Sequence, residues 1–250
     1  MINSVRNTVL FLLNKDNRGY ISPLEYNQYA KLAQLEIFES YFGDYARQMQ
    51  LQNTRKRALG YGDIVAQTRN KIDVFSTSAT LTYNDVQDGG VASVGEARDY
   101  FNLPNNFYRL INLTYNGKVL EEIPKVKFDM IIDSNLNTPS LTYPIYYQQD
   151  SRIYARPLSI NYTASTPQGS EIPLMMNYIR KPNDPIWGYN TIQGDPVYNS
   201  TTSTPFEISE AHEIDLVIKI CGYAGLAIRE ADVVTVMQGK EQQEVQLDNS

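Results

Sequence analysis

Of the 12 prolines in this chain, only Pro23 lies outside residues 72–205. Proline lacks an amide hydrogen and its ring clashes with the preceding turn, so the stretch that holds the other eleven disfavours long helices, which are expected at the two ends, 1–71 and 206–250. The proline-bearing stretch between them is rich in β-branched and aromatic residues and reads as β-structure. The expectation is an α+β chain in three regions: N-terminal helices (1–71), a β-rich middle with one short helix (72–205), and C-terminal helices with a polar tail (206–250). If the helical ends pack together, they form one helical body carrying the middle as an insertion. A chain of 250 residues is long enough to bury such a core.

In the first region a short helix is expected over 3–13. Apolar residues at Tyr26, Tyr29, Ala30, Ala33, Ile37, Tyr41, Tyr45 and Met49 then recur in steps of three and four, one stripe of a long second helix. Between the two lies NKDNRGYISPLE, which can be laid on the EF-hand loop with Asn14, Asp16, Gly19, Ile21 and Glu25 in register. Its charge is wrong for calcium. Asn14 stands where the first acid belongs, Arg18 stands at a ligand position, and Lys15 and Arg18 together cancel Asp16 and Glu25. A corner between helices accounts for the same residues: Ser22 caps, Pro23 takes the first helical position and Glu25 closes a capping box. The stretch is read as that corner.

In the middle region, 74–83 is rich in strand formers, and Asn116-Gly117 between apolar runs is a hairpin signal. Further strands are expected at 125–132, 145–149, 153–156 and 174–180. One short helix is expected to start at Ser93, with Glu96 completing its capping box and Pro104 following its end. In the last region Ser209 is expected to cap a helix carrying Ile214, Val217, Ile218, Cys221 and Leu226. Gly222 and Gly225 either end that helix or admit another backbone. The polar tail, 238–250, is expected to order only on a partner.

Candidate chemistry is sparse. The single histidine, His212, and the single cysteine, Cys221, share one predicted helix and point different ways, so no nucleophile–base pair is expected; His212 reads as a surface residue. Zinc lacks ligands and an internal disulfide lacks a second cysteine. Glu121-Glu122 and the Asp129/Asp133 pair are candidates for glycoside hydrolysis, but solvated strand carboxylates are the simpler reading. Neither Gly89-Gly90 with Gly95 nor Gly60 with Gly62 fits a phosphate loop. A net charge of −6 gives no global nucleic-acid footprint, and the apolar run 9–13 is too short to cross a bilayer. No catalytic residue, metal, cofactor or membrane contact is expected.

The aromatic and charge patterns point instead to contact surfaces. Tyrosine occurs 19 times against 8 Phe and 1 Trp, and its ring with a water-tolerant hydroxyl suits half-wet interfaces. The tyrosine-rich run 143–162 offers Tyr146 and Tyr147 as platforms for a carbohydrate- or host-surface-binding module. From 45 to 72, Arg47, Arg55, Lys56, Arg57, Arg69 and Lys71 stand against Asp63 alone, whereas acids predominate from 206 to 250. Oppositely charged ends can pair within a chain or between neighbours. Arg55, Lys56 and Arg57, facing Glu241 and Glu244, are the candidate subunit-interface residues.

Several runs, in order, carry a resemblance. RGYISPLEYNQYAKLAQLEIFESYF (18–42), LPNNFYRLINLTYNGKVLEEI (103–123), MNYIRKPNDPIWGY (176–189) and FEISEAHEIDLVIKICGYAGLAIREADVV (206–234) resemble segments of structural proteins from tailed bacteriophages of Bacteroidetes, the crAss-like group especially. The resemblance implies a non-enzymatic head-to-tail connector, a homo-oligomeric ring in the virion neck that is commonly twelvefold at the portal. It implies the portal and adjacent neck or tail rings as partners, with genomic DNA passing through the lumen without specific binding. An acidic chain suits a lumen through which DNA must slide.

Overall fold

The computed structural model describes residues 1–13, 21–55, 64–85, 99–134, 136–157, 160 and 173–228. The chain is α+β and divides into two compact units, Met1–Ile72 with Pro182–Ser250, and Asp73–Lys181. The N- and C-terminal helices therefore fall in the same unit. The segment 182–205, grouped from its prolines with the β-rich middle, lies with the helices.

In the helical unit, α1 (Ile2–Leu13) and α2 (Pro23–Arg55) both pack on the C-terminal helix α5 (Glu213–Ile228). Helix α3 (Ile64–Asp73) follows α2 in the chain. The start of α2 is built as its residues predict. The Ser22 amide and hydroxyl both donate to Glu25 Oε2, at 2.9 and 2.7 Å, and the Glu25 amide donates back to Ser22 Oγ at 3.3 Å. These reciprocal bonds satisfy amides that the first turn leaves without intrahelical acceptors. Tyr26, Ala30, Ala33, Ile37 and Tyr41 of the expected stripe are buried, joined by Phe38. From α5, Leu216, Val217, Ile220, Cys221 and Ala224 are buried. Helix α5 runs on through Gly222 and Gly225, so neither glycine ends it. At its entry Ser209 Oγ accepts from the Ala211 amide at 3.4 Å, opening a 3-10 turn, Glu210–His212, rather than the α-helix itself.

The second unit holds two sheets. One has the order β1-β9-β4-β5, formed by β1 (Ser76–Thr80), β4 (Phe107–Tyr115), β5 (Lys118–Val119) and β9 (Met175–Arg180), all antiparallel. The other has the order β2-β3-β8-β7-β6, formed by β2 (Thr82–Asp85), β3 (Asp99–Asn102), β6 (Glu121–Glu122), β7 (Ile145–Gln149) and β8 (Arg152–Arg156), with β6 parallel to β7. Leu113, Met176 and Tyr178 of the first sheet share one core with Phe101, Tyr146, Ile153 and Ala155 of the second. Asn116 and Gly117 both have positive φ, 48° and 74°, and close the β4–β5 hairpin by the turn that Asn-Gly favours.

Three local expectations are corrected. The run 125–132 is not a strand but α4 (Lys125–Asp133), entered at Pro124. Its alternating Val126, Phe128, Met130 and Ile132 mimic a strand, yet Phe128 and Ile131, three apart, make the packed side. The strand formers of 74–83 serve two sheets, because the chain changes sheet at Leu81 between β1 and β2. The end of the helix expected before Pro104 is instead β3, wedged between β2 and β8; Ser93 and Glu96 fall outside the described residues.

The capping box supports a direct test. Ser22→Ala should lower unfolding free energy by about 1 kcal/mol in chemical denaturation near neutral pH. The Ser22 hydroxyl, and then its amide, hold the Glu25 carboxyl below its ordinary pKa. That stabilisation is present above the usual glutamate range and is lost as pH falls through the lowered value. The gap between wild type and Ser22→Ala should accordingly narrow on acidification.

Candidate interaction surface

The polar residues of α2 hold the segment returning from the β-unit. Asn27, Lys31 and Gln34 lie four and three residues apart, hence on one helix face. Gln34, 1% exposed, donates to the Asn183 carbonyl at 2.7 Å and accepts from the Glu207 amide at 3.0 Å. The Asn183 amide and side chain both donate to the Glu207 carboxylate, at 3.0 and 2.8 Å, which closes a ring of three residues through side-chain and main-chain groups. Lys31 Nζ meets Asp184 at 2.7 Å on the surface, a pair worth little by itself. Asn27 accepts from the Trp187 amide at 2.8 Å.

Trp187, the only tryptophan, is the anchor of this segment. It is 2% exposed, donates from Nε1 to Asn3 at 3.0 Å, and lies under the Arg6 guanidinium at 3.7 Å from the ring centre. Tyr189 and Tyr198 flank it, with ring centres 5.7 and 5.9 Å away. These tyrosines begin and end a hairpin of β10 (Tyr189–Ile192) and β11 (Asp195–Tyr198), turned at Gln193 and Gly194 with positive φ. At its base Gly188 lies so close to Thr202 that a Cβ would fall 2.7 Å from the Thr202 carbonyl carbon. Among the described residues the hairpin pairs with no other strand, and β10 is exposed throughout. Ile192, Val197, Tyr189 and Tyr198 are all exposed on it. A two-stranded arm of this kind is marginal in water unless anchored, and the Trp187 cluster anchors one end.

A second group of exposed apolar side chains lies in the β-unit: Val126 and Met130 on α4, then Leu136, Leu141 and Tyr143 in the loop before β7. Underneath, Tyr147 packs edge-on against Phe128 at 4.5 Å and stacks on Tyr154 at 4.7 Å. Tyr146 and Tyr147 are each only 4% exposed, so neither is available as the sugar-stacking platform that their sequence context suggested. Burial pushes the Tyr147 hydroxyl up to about 12. Tyr146 donates to Glu122 at 3.3 Å, and its hydroxyl is likewise pushed upward, first by burial and then by that carboxylate.

The other residues singled out from sequence are dispersed. Glu121 and Glu122 are neighbours on the short strand β6, and Asp129 and Asp133 are one turn apart on a helix rather than on a strand. His212 is not a free surface side chain: its Nδ1 lies 2.7 Å from Asp215 Oδ2, its ring is 5.6 Å from that of Tyr41, and it is 18% exposed. Cys221 is buried in α5. No group of three His, Cys, Asp or Glu fit to hold a metal occurs among the described residues, and no helix among them is long and apolar enough to cross a membrane. Of the proposed interface, Lys56, Arg57, Glu241 and Glu244 lie outside the described residues, and Arg55 is the last residue of α2. Asn14, Lys15, Asp16, Arg18 and Gly19 also lie outside them, whereas Glu25 is engaged in its cap.

No protein-family model matches the sequence, and no curated protein is significantly similar to it. The Trp187 clasp was visible in sequence only as a lone tryptophan within IRKPNDPIWGY; its partners lie on α1 and α2, far away in the chain.

Gln34→Leu should cost about 2 kcal/mol, because it leaves the Asn183 carbonyl and the Glu207 amide without the partner they have now. The fluorescence of Trp187 should shift to the red in that variant, reporting the loosened return segment.

Proposed function

We propose that this chain is a non-enzymatic structural protein of a tailed-phage virion, a ring-forming connector in the neck between portal and tail. Copies assemble around the axis, and genomic DNA passes through the lumen without specific binding. The ordered resemblance to crAss-like phage structural proteins suggests this role, together with the portal and adjacent neck rings as partners. The observation that carries the reading is the anchored arm β10–β11. A monomer gains nothing from leaving Ile192 and Val197 of this hairpin in water, whereas a subunit of an assembly can bury them. The engaged state of His212 and the burial of Cys221 favour a structural role over a nucleophilic one.

A carbohydrate-binding module is the competing class, and the burial of Tyr146 and Tyr147 weighs against it. Light scattering on size-exclusion fractions, and negative-stain images of the protein mixed with portal protein, test the connector. Oligomers or portal-bound rings are expected. A chain that stays monomeric and ignores portal and neck components would overturn the reading.

A further inference from the structure

Strand edges offer unpaired amides and carbonyls, and proteins commonly blunt them with charge, proline, bulges or brevity. Among the described residues, most strand edges are blunted in one of these ways. Strand β5 is two residues long, β6 is two glutamates, and β2 ends on Asp85. The uncovered part of β4 carries Arg109 and two register shifts, and β11 carries Asp195 and Pro196. Among the described residues, two strands at sheet edges carry no such device. Strand β1, Ser-Thr-Ser-Ala-Thr, is neutral, free of proline and regular in register; β10, Tyr-Asn-Thr-Ile, is likewise neutral and regular.

The hydrogen-bond phase shows which groups face out. The Arg180 amide donates to the Phe75 carbonyl and the Leu81 amide to the Leu174 carbonyl, so Phe75, Thr77, Ala79 and Leu81 bond to β9. Ser76, Ser78 and Thr80 therefore turn their amides and carbonyls to the open side, and all three residues are exposed. On the hairpin, the Asn199 amide donates to the Gly188 carbonyl, which places Tyr189 and Thr191 at the outward-facing positions of β10, also exposed. The Pro196 nitrogen falls at the matching outward position of β11 and closes that edge to strand addition.

We propose that β10 of one copy adds to β1 of the next, extending the four-stranded sheet with the neighbour's hairpin. Antiparallel pairing sets Ser78 opposite Thr191 and Thr80 opposite Tyr189, each pair exchanging both main-chain bonds. Charge selects this direction. The turn carrying Asp195 then lies beyond Ser76, at the end of the sheet that holds Arg180, Lys181 and Arg109. A parallel arrangement would carry Asp195 towards Met175 and Thr114, where the cation of that end, Lys118, lies on β5, the strand farthest from β1. Because β1 and β10 are different surfaces, the contact is head-to-tail, the kind that closes rings. The inference rests on the connector reading and supplies its subunit contact.

Two proline variants test it, since each removes an outward amide that no ladder bond uses. Ser78→Pro closes β1 and Thr191→Pro closes β10; circular dichroism and melting temperature establish that each stays folded, and Ser78→Lys or Thr191→Lys replaces a variant that does not. By native mass spectrometry the wild type should form rings or larger oligomers, and each variant alone should be monomeric. An equimolar mixture of the two should give a heterodimer and nothing larger, because it retains one open β10 and one open β1. Wild-type oligomers that survive both substitutions overturn the edge pairing and leave the connector reading standing. A wild type that is monomeric alone and with portal protein overturns both.

Discussion

A chain that leaves its helical body at Ile72 and returns at Pro182 has to be captured again, and a polar stripe on α2 captures it. Gln34 is the member that matters most. It is buried, it satisfies one acceptor and one donor on two separate segments, and Glu207 closes the ring through Asn183. Buried polar groups are costly when unpaired, so a ring satisfied in this way specifies one register for the returning chain. That register in turn delivers Trp187 to Asn3 on α1 and Asn27 on α2, and holds the base of the hairpin against the helices.

The β-unit obeys a different constraint. Strand β7 is buried on both faces: Tyr146 enters the core shared by the two sheets, while Ile145 and Tyr147 lie under α4. A strand covered on both sides reads as a continuous apolar run, not an alternating one. Tyrosine can serve there because each hydroxyl is placed near a polar group or the periphery while the ring fills the core. Tyr146 does so by donating to Glu122. The high tyrosine content is thus partly a core property, while Tyr143, Tyr189 and Tyr198 keep the exposed, contact-making character that composition suggested.

Elements governed by local chemistry were legible. The Ser22–Glu25 box, the Asn116-Gly117 turn and the apolar stripe of α2 each depend on residues within one or two turns of one another. Elements whose identity depends on a distant partner were not. The run 125–132 fits both a period of two and a helical period, and Tyr147 with Phe128 decides between them. The break at Leu81 has no turn residue to announce it, since β1 and β2 part because their partners, β9 and β3, belong to different sheets. His212 gains Tyr41 as a neighbour only through the packing of α2 near the start of α5.

Proline placement, caps and turn residues in the sequence alone determined that helical ends would flank a β-rich middle, because those effects act through backbone geometry within a few residues. Tertiary structure decided what lies inside and what stays open. Sheet order leaves β1 at an edge, hairpin phase turns Thr191 outward and Pro196 into a block, and the α2 clasp buries Trp187 while its neighbours remain exposed. Each of these depends on which distant segment pairs with which, and pairing is a property of the assembled fold rather than of any local run of residues.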